Sequence, residues 1–212
     1  MRYLPPTRSC KICFKTIKET DFCRIFNSKI AICGACQKEM NPKYISFKIN
    51  TYDGLSIYDY NPFIRQLIYQ YKGCYDYELF DVFINSLYTE LKLHYLNYAL
   101  IPIPSFKNDD EERGFNHVKE IFKNLGLKTL DILEKTEKHK QATSSVEERE
   151  KVYKVLALKE KPDLRKTKVL IVDDIYTTGA TMKSAINLLE KLNPKAIKVL
   201  VIAKTKPKQP IN

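Results

Sequence analysis

The 212-residue sequence lacks long apolar runs and is poor in glycine. No stretch approaches the roughly 20 apolar residues of a membrane-spanning helix. With only 6 Gly and 10 Pro, the composition excludes collagen-like and low-complexity chains. The first residues, MRYLPPTRSCK, do not resemble a signal peptide, so we expect a cytoplasmic protein. The length leaves room for one α/β domain of about 150 residues and a small additional module.

Acidic residues are in deficit, with 25 Asp and Glu against 36 Lys and Arg and a formal net charge of +11. The excess is concentrated in residues 1–75, which contain 12 basic and 5 acidic residues, whereas residues 76–212 contain 24 and 20. A basic surplus favours nucleic acid or anionic lipid as a partner. A Lys-rich composition that serves only solubility is the alternative explanation.

The cysteines are concentrated near the start, where CKIC and CGAC form the pattern C-x2-C-x19-C-x2-C. This spacing is typical of four-thiolate zinc sites, because a two-residue gap lets both thiolates of one turn face the same ion. Two disulfides or a redox dithiol are the alternatives, and a cytosolic location disfavours disulfides. We therefore predict a zinc module over residues 1–43, with Cys23 and Cys74 as unligated thiols. The predicted ligands are Cys10, Cys13, Cys33 and Cys36.

Residues 44–77 combine aromatic rings with cations, since eight of the 14 tyrosines fall here beside Lys48, Arg65 and Lys72. Rings interleaved with cations can stack unpaired bases and follow phosphates, so these three cations are predicted DNA-binding residues. The alternative is that the tyrosines pack at sheet edges and domain junctions, with their hydroxyls at the surface. We interpret 44–77 as a connecting segment.

From residue 78 to 212 apolar segments alternate with amphipathic ones. Strands are predicted at 98–104, 169–172 and 196–203, and near 129–133 and 152–158. Helical spacing predicts helices over 79–91, 115–125 and 179–192. Continuous apolar strands between helices indicate an α/β fold, with a parallel sheet covered by helices on both faces.

The segment VLIVDDIYTTGAT, residues 169–181, predicts a site for a phosphorylated sugar. A buried strand ends in Asp173 and Asp174, whose carboxylates can accept hydrogen bonds from a ribose diol. A hydroxyl-rich loop then opens a helix, whose free N–H groups suit a phosphate, and glycine lets the backbone approach that anion. A helix cap without a ligand is the alternative. The predicted phosphate loop consists of Thr177, Thr178, Gly179, Ala180 and Thr181.

This segment resembles the signature of type I phosphoribosyltransferases, and LIPIPSF…RGFN (100–116) resembles their strand and pyrophosphate loop. Residues 140–149 resemble the mobile loop that covers their site. Together with the two CxxC pairs, the layout resembles ComF-type competence proteins, which join a zinc finger to such a domain. The resemblance implies a diol-binding pair at Asp173 and Asp174, and pyrophosphate binding with Mg²⁺ at Ser105 and Arg113.

The resemblance also implies a role in natural transformation. The chain would bind phosphoribosyl pyrophosphate, or a related 5′-phosphorylated ribose, and handle incoming single-stranded DNA in the cytoplasm. Further partners would be other DNA-uptake proteins at the inner face of the membrane. An active Mg²⁺-dependent phosphoribosyltransferase that acts on an unidentified base is the alternative. The sequence departs from the family at residues 109–112, four acids for which we expect a solvated loop, and at His117, where the family has Gln.

Overall fold

The computed structural model describes residues 9–17, 32–139 and 152–206. The predicted mobile loop at 140–149 and Cys23 lie outside these residues. No helix in the described ranges is both long and apolar enough to cross a membrane. In chain order, the elements are α1 (Gly34–Met40), β1 (Ile45–Ile49), β2 (Tyr52–Asp59), α2 (Pro62–Gly73), 3₁₀ turns at Tyr77–Asp81 and Asn85–Leu87, α3 (Tyr88–Tyr95), β3 (Tyr98–Pro102), α4 (Lys107–Arg113), α5 (His117–Lys123), β4 (Leu133–His139), β5 (Val152–Leu158), β6 (Lys168–Tyr176), α6 (Ala180–Glu190) and β7 (Ala196–Lys204).

Five strands form the central sheet in the order β1-β2-β7-β6-β3. The strands from β2 to β3 are parallel, and only β1 runs antiparallel, so the sheet is mixed rather than wholly parallel. In the centre of the sheet, Val172 pairs with Leu200 of β7 and with Pro102 of β3. The carboxyl ends of β3 and β6 therefore lie side by side, where open parallel sheets place their ligands.

Both faces of the sheet are buried, which explains why its strands are continuously apolar. Leu170 and Val172 point into one core with residues of α2 and α5, whereas Val169 and Ile171 point into a second core with residues of α6. This alternation follows from the two-residue period of a strand. The predicted α/β architecture with both faces of the sheet covered is confirmed.

The segment 44–77, interpreted above as a connection, contributes two strands and a helix to this domain. β2 pairs with β7, and α2 buries Ile64, Leu67 and Tyr71 against the sheet. Several of its tyrosines thus belong to the core: Tyr58 and Tyr71 are each 1% exposed, and Tyr58 donates its hydroxyl proton to the carbonyl of Phe83. These two rings pack in the core, but their hydroxyls bond to buried carbonyls and do not lie at the surface, where the packing alternative expected them.

Two of the predicted local structures differ in detail. The helical spacing over 79–91 corresponds to two 3₁₀ turns followed by α3, because the Phe83 carbonyl lies in a tertiary hydrogen bond with Tyr58. The strand expected near 129–133 begins at Leu133; Thr129 makes only an isolated bridge with Leu100. β4 pairs with β5 in a separate antiparallel hairpin that flanks the undescribed residues 140–151.

Candidate functional site

The four predicted zinc ligands lie together at the start of the chain. Their Sγ atoms are all within 4.8 Å of one another, and the Sγ atoms of Cys13 and Cys33 are 3.7 Å apart. A tetrahedral zinc with bonds of about 2.3 Å separates its sulfur ligands by about 3.8 Å. All four cysteines are free thiols in the structure, and the 3.7 Å between the Sγ atoms of Cys13 and Cys33 is longer than a disulfide bond of about 2.05 Å. The donor set and its spacing fit a closed structural zinc site.

The local backbone explains how the two CxxC pairs converge. The first pair lies in a tight turn in which Phe14 donates its N–H to the carbonyl of Cys10, with a positive φ of 59° at Phe14. The second pair spans the start of α1, with Cys33 as its N-cap residue and Cys36 in its first turn. Two short turns can therefore present four sulfur atoms without a core of their own.

The thiol electrostatics favour a bound cation. Burial opposes ionisation of Cys10, but backbone N–H groups of Cys13, Cys33 and Ile12 lower the pKa of its thiol to about 7. Burial and the neighbouring thiols raise the pKa of Cys36 far above its ordinary value. Four thiolates cannot share this space without a compensating charge, which a divalent metal supplies.

The cysteine module is docked on the α/β domain. Its apolar residues Ile17, Ile32 and Met40 are buried in the same core as α2. Lys11 adds ion pairs to Asp81, at 3.1 Å, and to Glu78, at 3.3 Å, on the first 3₁₀ turn. Cys74, in contrast, is exposed at the C-terminal end of α2 and is not part of the cluster.

A second site lies at the carboxyl ends of β3 and β6. This site contains a cavity of roughly 130 Å³, hereafter the Asp174 cavity. It is lined by residues that the sequence predicted to bind a diol and a pyrophosphate, and by further residues for which the sequence predicted no such role. A smaller pocket beside it follows the phosphate loop and shares Asp173 and Thr181 with the cavity. The lining residues used below are Lys72, Ser105, Arg113, His117, Asp173, Asp174 and Thr181.

Asp174 is the most heavily bonded group of the cavity, and its residue is 5% exposed. Its Oδ1 accepts from the N–H of Ile175 at 2.7 Å. Its Oδ2 accepts from Lys72 Nζ at 2.8 Å and lies 3.1 Å from His117 Nε2. Burial raises the pKa of Asp174, but the hydrogen bond from His117 and the Lys72 charge outweigh burial and hold it below its ordinary value. Asp174 is therefore a buried carboxylate that stays ionised.

Asp173 has the opposite tendency although it is the adjacent residue. Burial, and then the negative charge of Asp174, raise its pKa well above the ordinary value. Its Oδ1 accepts from the backbone N–H of Asp174, at 2.8 Å. The pair thus combines one strong acceptor with one carboxyl group that readily holds a proton, and together they can both accept from and donate to a diol.

The residues of RGFN form a hydrogen-bonded corner at the entrance to α5. Arg113 Nη1 donates to Asp110 Oδ1 at 3.0 Å, and its Nε donates to the carbonyl of Lys72 at 3.1 Å. Asn116 donates to the other oxygen of Asp110 at 2.7 Å and caps α5 by accepting from the N–H of Lys119. The acidic run forms α4 rather than a loop, and one of its acids stabilises this corner.

His117 is 4% exposed and connects this corner to Asp174. Its Nδ1 lies 3.0 Å from Ser105 Oγ and 3.4 Å from Arg113 Nη1. Because a guanidinium can only donate, this approach favours Nδ1 as the acceptor, so that Nε2 carries the proton and donates to Asp174. Burial lowers the pKa of His117 below its ordinary 6.5, although Asp174 opposes this shift.

We expect His117 to remain neutral at pH 7, with its single proton on Nε2, and to titrate with a midpoint below 6.5. Two-dimensional NMR of ¹⁵N-histidine-labelled protein over this pH range reports both the tautomer and the midpoint. Protonation above pH 6.5 would show that the Asp174 charge outweighs burial. In Asp174→Asn the opposing charge is absent, so the midpoint should fall further.

The phosphate loop begins directly after β6. Thr177 and Thr178 are exposed, and Gly179 is the N-cap residue of α6 with a φ of 77°. A Cβ atom at Gly179 would collide with the hydroxyl of Tyr176, and its Cζ would lie only 2.7 Å away. Glycine is therefore required here both by the left-handed backbone and by the Tyr176 ring, which itself packs on Phe47 with ring centroids 4.6 Å apart.

The sequence predicted roles in ligand binding for several residues of this cavity, but it did not anticipate two of the partners of Asp174. The residues predicted to bind the ribose and the phosphates of one ligand include five that line this cavity: Ser105, Arg113, Asp173, Asp174 and Thr181. Lys72 was predicted only as a DNA contact, and His117 only as a departure from a family pattern. No sequence signal links them to Asp174, because the pairs are 102 and 57 residues apart.

Fold and site together define a phosphoribosyltransferase-type domain that carries a four-cysteine module. Residues 111–211 match the family model described as phosphoribosyl transferase domain, which confirms the predicted fold. Among solved structures, a purine phosphoribosyltransferase from Pyrococcus horikoshii is similar, with 21% identity, 63% of this chain and 77% of that chain covered, and a TM-score of 0.39.

Two curated relatives carry competence names. The chain is 33% identical over 149 residues to competence protein ComFC of Streptococcus pneumoniae, covering 70% of this chain and 67% of the relative. It is 25% identical over 211 residues to competence protein F of Haemophilus influenzae, covering 92% and 90%. The chain belongs to the ComFC family of competence proteins, and this membership supports a role in competence.

Proposed function

We propose that the Asp174 cavity and the phosphate loop bind phosphoribosyl pyrophosphate, or a related 5′-phosphorylated ribose. The strongest support is their continuity: the Asp174 cavity and the pocket along the phosphate loop are both lined by Asp173 and Thr181, so a ribose and its 5′-phosphate can occupy both at once. Asp174 accepts from the diol, the loop and the start of α6 donate to the phosphate, and Arg113 with Ser105 faces the pyrophosphate. Mg²⁺ accompanies this ligand, held mainly by its phosphate oxygens.

In the cell, the chain would act in the cytoplasm on single-stranded DNA that enters during transformation. Lys48, Arg65 and Lys72 remain the proposed DNA contacts. Arg65 and Lys72 both lie on α2 and line one groove, whereas Lys48 lies on β1 and pairs with Asp53. The zinc module holds the start of the chain on the domain, and other DNA-uptake proteins at the inner face of the membrane are the proposed protein partners.

An active phosphoribosyltransferase is the alternative. Transfer to a base with loss of pyrophosphate would depend on Mg²⁺, on Arg113 and on the phosphate loop, which would stabilise an oxocarbenium-like ribose. The arrangement around Arg113 disfavours turnover, because the guanidinium already pairs with Asp110. A ligand pyrophosphate would compete with this carboxylate for the same cation.

Calorimetry with phosphoribosyl pyrophosphate at a constant Mg²⁺ concentration tests the proposal. We expect saturable binding of one ligand per chain and no release of pyrophosphate when a panel of nucleobases is added. Pyrophosphate release that depends on a base would establish the transferase alternative. No heat of binding, with folded and zinc-loaded protein, would refute a ribose-phosphate site altogether.

A further inference from the structure

A groove of about 970 Å³ runs along α2 and adjoins the Asp174 cavity. This surface, hereafter the α2 groove, is lined by Tyr60, Arg65, Gln66, Tyr69 and Lys72 among others. The residues share one helix face and the loop before it, because positions three and four apart on a helix lie on the same side. Lys72 is the only one of these five that also lines the Asp174 cavity.

The walls of the α2 groove combine a free cation with an exposed ring. Tyr69 is 61% exposed although it is a large aromatic side chain. Arg65 is also exposed, and its guanidinium has no ion pair with any other described residue. No Asp or Glu occurs among the described residues that line the groove. Rings that can stack, with cations and no acids, suit a ligand that has both unpaired bases and phosphates.

Lys72 connects the two cavities through its ion pair. Its ammonium group lies 2.8 Å from Asp174 Oδ2, and its side chain is 41% exposed along the groove. Arg113 fixes the backbone of Lys72 by donating to its carbonyl, so only the flexible side chain is free to move. His117 approaches the same Oδ2 and Ile175 donates to Oδ1, so three of the roughly four acceptor sites of the carboxylate are occupied and one, on Oδ1, remains.

A diol that binds Asp174 through both of its hydroxyls must therefore displace a donor, and the exposed Lys72 yields more readily than the buried His117. We infer that the α2 groove binds single-stranded DNA through Tyr69 and Arg65, and that Lys72 couples this groove to the Asp174 cavity. When a ribose-phosphate ligand takes the place of Lys72 at Asp174, the ammonium group turns into the groove and adds a second cation beside Arg65. This inference rests on the proposed function and extends it, since each ligand then strengthens the binding of the other.

The coupling is tested with the full-length, zinc-loaded chain and a short labelled oligodeoxythymidylate. Fluorescence anisotropy gives its affinity with and without saturating phosphoribosyl pyrophosphate, at the same free Mg²⁺ and ionic strength. We expect the ligand to tighten strand binding about fivefold or more, within the usual range of coupling between sites. Calorimetry in the reverse direction should show the same factor for the ligand. An unchanged or weakened strand affinity would overturn the coupling.

Substitutions in the α2 groove test where the DNA strand binds. Tyr69→Ala should weaken oligonucleotide binding roughly tenfold, as expected for loss of one stacked base, whereas Tyr69→Phe should retain it. Arg65→Ala should make the log–log dependence of affinity on salt shallower by about 0.7, because one phosphate contact is lost. Lys191→Ala, which removes an exposed cation just after α6 on the other face of the sheet, is the matched control and should change neither property.

The outcomes separate this inference from the proposed function. If the wild-type chain binds the strand but Tyr69→Ala and Arg65→Ala bind equally well, the strand lies elsewhere and only the groove is wrong. If the wild type binds phosphoribosyl pyrophosphate but not DNA, the groove and the proposed DNA handling both fail. In Lys72→Met, strand affinity is again measured with and without the ligand; the coupling factor should fall to about one, and a factor equal to that of the wild type would overturn the role of Lys72.

Discussion

Replacement of Cys33 by Ser is expected to abolish stoichiometric zinc binding and to unfold the N-terminal module. Cys33 is 8% exposed, caps α1 and lies 3.7 Å from the Sγ of Cys13, so its loss removes one of four bonds in a closed site. Structural zinc contributes on the order of 10–16 kcal/mol in small peptides at neutral pH, more than a module of this size can replace by packing. The α/β domain should stay folded, because the five strands of its sheet pair with one another and not with the module.

Metal analysis by mass spectrometry and circular dichroism measure the two parts of this result. The wild type should contain one zinc per chain, and the matched control Cys74→Ser should contain the same amount, since Cys74 is exposed and outside the cluster. Because the module shares a core with α2, Cys33→Ser should also lower the thermal midpoint of the remaining domain. A full zinc equivalent in Cys33→Ser would contradict the assignment of the ligands.

Replacement of both acids, Asp173→Asn with Asp174→Asn, is expected to remove most of the affinity for phosphoribosyl pyrophosphate. A lost charge-assisted hydrogen bond is worth about 1.5–3 kcal/mol, which corresponds to roughly ten- to hundredfold in affinity for the ionised Asp174. Asp174 is the larger contributor, because it is the carboxylate held in the ionised state. Calorimetry at constant Mg²⁺ measures the change.

The structure also requires a check on folding for this variant. Asp174 is buried and accepts from Lys72 and His117, so its replacement leaves two donors with a weaker acceptor. Thermal unfolding should therefore be recorded beside each titration, and the single variant Asp173→Asn separates ligand binding from this effect. Asp163→Asn is the matched surface control, since the one partner of Asp163 among the described residues is the exposed Arg165. Unchanged affinity in the folded double variant would place the ligand elsewhere.

Local sequence patterns were sufficient to predict the parts of this protein whose residues are contiguous in the chain. The CxxC pairs, the apolar strand before Asp173 and the hydroxyl-rich loop after it are each encoded within a few residues, where spacing and residue type reflect backbone geometry directly. The continuously apolar β6 and β7 predicted a sheet buried on both faces, because a strand that meets solvent on one side alternates instead.

Only the tertiary structure decided which distant groups meet. β2 belongs to the sheet because it pairs with β7, and the paired residues are more than a hundred positions apart in the chain. The local pattern of its tyrosines would be the same if this segment were only a connection. The ion pair of Lys72 with Asp174 and the contact of His117 with the same oxygen arise from the packing of α2 and α5 on one face of the sheet. Sequence periodicity specifies which face of an element is apolar, but it does not specify which polar groups at the ends of different elements will lie side by side. The position of Lys72 and His117 beside Asp174 is such a case, and it determines the charge of Asp174 and the chemistry of its cavity.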